Sequence, residues 1–63
     1  MRPIVKGPID GNIFAVLAAA KEALRKAGQK EKAEEMATRV FCAGSYGEAL
    51  VIVSDYVEFQ LGE

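Results

Sequence analysis

The chain contains no histidine, so acid–base chemistry near neutral pH would have to rest on carboxylates, lysines, tyrosines or the single cysteine, Cys42. None of these falls in a pattern that such chemistry needs. Glu34 and Glu35 are neighbours on a helical segment and point in different directions, so they form no facing acid–base pair. Asp55 and Glu58 flank a helix-to-strand junction where two carboxylates could meet, but a turn and a solvated strand face account for both. Cys42 follows Phe41 close to a helix C-terminus, where the helix dipole disfavours a thiolate and no imidazole can activate it. A buried structural thiol is expected there. No catalytic residue is assigned, and no enzymatic activity is expected.

Metal and cofactor chemistry is equally short of ligands. One cysteine and no histidine exclude the usual zinc frameworks. Asp10-Gly11-Asn12 is a fragment of a calcium loop, but the further oxygen ligands and the distal glutamate are missing, so it reads as a helix cap. Gly7, Gly11, Gly28, Gly44 and Gly47 match neither the dinucleotide nor the P-loop spacing and mark turns. No cofactor is expected.

Binding has one candidate in the charge pattern. Lys21, Arg25, Lys26, Lys30 and Lys32 lie close together, whereas beyond Arg39 all charges are acidic. Lys21 and Arg25 are four apart with Lys26 alongside, so one helical face could contact phosphates or a protein partner, and helix–Gly28–helix has the outline of a helix-turn-helix. Against nucleic acid stand Glu22, Glu31, Glu34 and Glu35 in the same region, the lack of base-reading or stacking side chains, and a net charge of −1. A mixed solvated face is the preferred reading.

Whatever these residues do, a small set of elements must hold them. A chain of 63 residues with 51% hydrophobic side chains makes one small globular domain near the lower size limit for a self-sufficient core. With no disulfide or zinc to staple it, stability must come from efficient packing or from association. Ile4-Val5-Lys6-Gly7 has extended propensity and stops at Pro8, which predicts a brief edge strand. The first helix is expected from about Asn12 to Ala27, capped by Asn12 and closed by Gly28. Its run Ile13 to Ala20 is apolar at every position, so neighbours must cover it from several directions. Phe14 and Leu17 are expected to be its main anchors.

A second helix is expected from about Lys30 to Ala43, where Ala33, Met36, Ala37, Val40 and Phe41 recur at helical spacing and Gly44 supplies the stop. Glu35 and Arg39 have the spacing of an i,i+4 ion pair. Ser45-Tyr46-Gly47-Glu48 has the form of a capping box, in which the Ser45 hydroxyl accepts from the Glu48 N–H and the Glu48 carboxylate reaches back to the Ser45 N–H. The β-branched Val51-Ile52-Val53 would also suit a strand, but the cap and the stripe Tyr46, Leu50, Val53, Val57 agree on a third helix. Val57, Phe59 and Leu61 then alternate as a closing strand that pairs with residues 4–7. The expected fold is α+β, with three helices packed on a small two-stranded β-sheet in the order β-α-α-α-β.

The pieces Asp10-Gly11-Asn12-Ile13-Phe14-Ala15-Val16-Leu17, Leu24-Arg25-Lys26-Ala27-Gly28 and Gly44-Ser45-Tyr46 resemble a family of small uncharacterised bacterial proteins, often encoded on phages, prophages and plasmids. Only the D-G-N-x-F-A helix start is specific, and the chain departs from the family pattern at Ser45-Tyr46-Gly47-Glu48. The resemblance implies a helix over residues 45–55 and possible carriage on a mobile element; it carries no established activity.

No signal peptide is read at the N-terminus, the longest apolar run is too short to span a bilayer, and a lone thiol suits a reducing compartment. The expectation is a cytoplasmic protein, away from membranes, that acts through contacts with a protein partner. A homodimer and a self-sufficient monomer both remain open. The alternative is a nucleic-acid-binding module that uses the basic face of residues 21–32.

Overall fold

The computed structural model describes residues 2–6 and 11–60. Its elements are β1 (Ile4–Lys6), α1 (Ile13–Lys26), α2 (Lys30–Phe41), α3 (Tyr46–Ser54) and β2 (Glu58–Gln60), so the expected α+β order is observed. Residues 49–53 are helical. Gly7, Pro8, Asp10 and Leu61, which carry part of the reading of the first turn and the closing strand, lie outside the described residues.

Each helix boundary has a local cause. The Asn12 side chain accepts from the Phe14 N–H at 2.9 Å and caps the first turn of α1. At the other end the Gln29 N–H donates to Leu24 O at 2.8 Å and the Gly28 N–H to Arg25 O at 3.0 Å, with Gly28 at φ +77°. This is a Schellman closure, in which a glycine takes the left-handed conformation that lets the chain reverse after one turn. The reversal lays α2 back along α1, with Phe14 at the start of α1 beside Phe41 at the end of α2.

Helix α2 stops at Phe41, two residues earlier than its hydrophobic pattern suggested. The Cys42 N–H donates to Arg39 O at 3.1 Å, an i→i−3 bond that tightens the last turn, and Gly44 does not take a positive φ. Helix α3 starts as its cap predicts, with the Glu48 N–H on Ser45 Oγ at 3.1 Å. The return arm differs from the expected box. Glu48 Oε1 accepts from the Gly44 N–H at 3.0 Å, so the carboxylate satisfies the donor one residue ahead of Ser45. At the far end of α3, Arg2 donates to Ser54 O at 2.6 Å, covering one of the carbonyls that a helix C-terminus leaves open.

The two strands run parallel, with Ile4 opposite Glu58, Val5 opposite Phe59 and Lys6 opposite Gln60. All three helices lie in the connection between them, since parallel strands cannot be joined by a tight turn. Among the described residues twelve share one buried core: Val16, Leu17, Ala20 and Leu24 from α1, Ala33, Met36, Ala37 and Val40 from α2, Ala49 and Val53 from α3, and Tyr56 and Val57 ahead of β2. Val5 and Phe59, the central residues of the two strands, pack against this cluster from the sheet side.

One of the two expected anchors of α1, and the thiol expected to be buried, lie at the surface. Phe14 is 65% exposed, while Val16, Leu17, Ala20 and Leu24 carry the buried stripe of α1. Cys42, expected to be buried, is exposed, because it stands two positions past Val40, the last buried residue of α2, and is not carried inward by that helix.

Candidate functional site

Two neighbourhoods bring polar chemistry or open surface together. The first joins α2 to the turn after α3. The Tyr56 hydroxyl donates to Glu35 Oε2 at 2.7 Å and accepts from Arg39 Nη1 at 3.1 Å. The Arg39 guanidinium carbon lies 5.5 Å from the Tyr56 ring centroid, and Nη2 is 3.5 Å from Asp55 Oδ2. Glu35 and Arg39 are therefore linked through a third residue and not only by their helical spacing. The hydrogen bond to Tyr56, with smaller contributions from the charges of Asp55 and Glu35, holds the Arg39 pKa above its usual value. Both hydrogen-bonding capacities of the Tyr56 hydroxyl are used, and none of these four side chains lines the aromatic groove or the groove between α1 and β1 described below. This cluster fastens the fold. Asp55, the candidate for pairing with Glu58, turns to Arg39, and the Glu58 backbone N–H donates to Pro3 O, the residue just ahead of β1, at 2.8 Å.

The second neighbourhood is open. Phe14 and Phe41, 65% and 68% exposed, stand with ring centroids 6.5 Å apart at an interplanar angle of 44°. Beside them a shallow groove of about 290 Å³ is lined by Ile13, Val40, Ala43 and Ala49 and closed by Tyr46 and the Gly44-Ser45 backbone. The local sequence explains the exposure. Asn12 and Ser45 start helices whose first turns bring Phe14 and Tyr46 to the rim, and the early end of α2 leaves Phe41 with no following turn to cover it. The lining has no titratable side chain apart from the Tyr46 phenol, so the site is built for apolar contact.

No family model, no curated protein and no solved structure matches the chain. The reading of the site accordingly rests on its geometry.

The five basic residues are spread over different parts of the helical hairpin. Lys26 lies 3.7 Å from Glu22 and lines a second groove between α1 and β1. Lys21, half-buried, and Arg25, exposed, share another flank of α1, since residues four apart in a helix lie on one face. Lys30 and Lys32 are exposed in the first turn of α2. Among the described residues no cluster of Cys, Asp and Glu could hold a metal ion. No helix among them is long and apolar enough to cross a membrane.

The aromatic rim escaped the sequence reading for a definable reason. In a run where every residue is apolar, hydropathy cannot tell which side chains face outward. The signal that was present is spacing: Phe14 lies seven residues before Lys21 and eleven before Arg25, which puts it on the same flank as those polar residues and away from the Leu17–Leu24 stripe.

Proposed function

We propose that this chain is a small cytoplasmic protein-binding domain without enzymatic activity, and that it works by seating an apolar segment of a partner protein on the Phe14–Phe41–Tyr46 face. The observation that carries the reading is the side-by-side exposure of Phe14 and Phe41 over an uncharged groove. A pair of large apolar rings held open to water costs solvation free energy that only a partner recovers, and aromatic anchors of this kind dominate protein interfaces. The resemblance of the D-G-N-x-F-A segment to proteins of phages, prophages and plasmids supports carriage on a mobile element, where a short chain acting by contact on a larger protein is economical.

A photo-crosslinking side chain at position 41, with a control at the exposed Thr38, provides the test. The expected result is a defined protein captured from position 41 and not from 38. The purified partner should then bind the wild-type chain in calorimetry and lose at least about tenfold in affinity to the Phe14→Ala/Phe41→Ala double variant. Equal binding by the double variant sinks the proposal. Retention of nucleic acid that falls with salt and is abolished by Lys21→Glu/Arg25→Glu would replace it with the nucleic-acid reading.

A further inference from the structure

The β-sheet has a second, unrelated opening. Its strand order is β1-β2, so among the described residues each strand has a partner on one side only. The Glu58 N–H donates to Pro3 O, which fixes the direction of the backbone groups: those of Pro3 and Val5 turn towards β2, and those of Ile4 and Lys6 turn outward. Beside that outward edge lies a groove of about 530 Å³, larger than the aromatic one. Its walls are Pro3 to Lys6 on one side and Ala19, Glu22, Ala23, Lys26 and Ala27 of α1 on the other. It shares no residue with the aromatic groove.

We propose that a second copy of this chain fills this groove by pairing its own β1 antiparallel to β1, forming a four-stranded sheet in the order β2-β1-β1-β2 across a two-fold axis. This inference is independent of the aromatic site. The register follows from the backbone. With the axis at Val5, Ile4 of one copy stands opposite Lys6 of the other, and that pairing uses all four outward N–H and C=O groups of each strand. It also brings the two Val5 side chains together on the side of the sheet that packs on the core.

Charge selects a second copy over an unrelated strand. The α1 wall of the groove presents an acid and a base, Glu22 and Lys26, on either side of Ala23 and 3.7 Å apart within one copy. A two-fold axis near that point sets Glu22 of each copy against Lys26 of the other, so the surface is complementary to itself, as a symmetric interface requires. Ala19, Ala23 and Ala27 on the same wall leave room for the two α1 helices to approach. Ile4, 50% exposed on β1, loses its exposed edge to the incoming strand.

Sedimentation equilibrium of the full chain over a concentration series tests the proposal. The expected result is a reversible monomer–dimer equilibrium. Lys6→Pro removes one outward N–H and leaves the β1–β2 ladder intact, and Ala19→Arg places bulk in the groove; each should weaken the dimer by at least about tenfold. Circular dichroism melts confirm that both variants fold. Glu22→Lys and Lys26→Glu should each weaken it, and mixing the two variants should restore a dimer, a rescue that the ion pair between these residues within one chain could not produce. Phe14→Ala/Phe41→Ala should leave the dimer unchanged. A monomer mass at every concentration overturns the proposal, as does a dimer that is insensitive to Lys6→Pro and Ala19→Arg or that is lost in the aromatic double variant.

Discussion

The Tyr56 hydroxyl donates to Glu35 Oε2 across 2.7 Å, so the turn after α3 is tied to the middle of α2 by a side chain whose ring is itself buried in the core. Arg39 completes the tie from the same face of α2, reaching both the hydroxyl and Asp55. Because Tyr56 stands two residues before β2, this small polar cluster fixes where the closing strand begins.

Tyr56→Phe keeps the ring and removes both hydrogen bonds. The partners are open to water and regain solvation, so the loss should be about 1 kcal/mol, which lowers the melting temperature of a domain this size by about 4–8 °C. The raised pKa of Arg39 bears on how this loss varies with pH. A base whose folded pKa is raised contributes its full stability below its unfolded pKa and loses it only as pH rises through the folded value. For an arginine that window is strongly alkaline. The difference between Tyr56→Phe and wild type should therefore stay flat across the neutral range, as thermal melts at several pH values would show.

Gly28→Ala should cost about 1 kcal/mol. The added methyl would meet nothing within 4 Å, so the loss isolates the strain of a positive φ at the α1–α2 reversal. Urea melts should show a lower midpoint with an unchanged slope.

Phe14→Ala and Leu24→Ala should separate surface from core within one helix. Leu24 is fully buried, and its truncation should cost about 3 kcal/mol, a large fraction of the stability of so small a domain. Phe14, open to water on one side, should cost less than about 1 kcal/mol. Denaturant titration of the two variants measures both.

The Cys42 thiol should react with a disulfide reagent in the native protein as a single fast phase of one equivalent, because it is exposed and unpaired. Protection comparable to a buried thiol would contradict its position at the end of α2.

Those expectations trace what the chain reveals in one dimension. Asn12, Gly28 and Ser45 act on backbone groups within a few residues of themselves, and each produced the boundary its chemistry predicts. The pairing of the first strand with the last was legible from the extended propensity of residues 4–7 and the apolar alternation of the closing segment, whereas its parallel direction follows from how three helices stack. Cys42 and Phe14 were misplaced for a related reason. Residue-type averages favour burial of both, but burial is decided by where a helix stops and which of its faces a neighbour covers. The contact of Tyr56 with Glu35 joins residues far apart in sequence, and no local pattern announces it. For the binding face, the type of residue was visible and its exposure was not.

The register that sets Ile4 beside Glu58 also orders events in time. Helices α1 and α2 can meet as soon as the Gly28 reversal exists, since their contacts are local, whereas β1 must wait for β2 to be synthesised. During translation β1 is thus a strand with two open edges, and Lys6 is the charged residue that guards it from pairing with the wrong neighbour. Closing the sheet is the longest loop closure in the fold, so a chain that has reached only residue 57 holds the sequence of all three helices without the sheet.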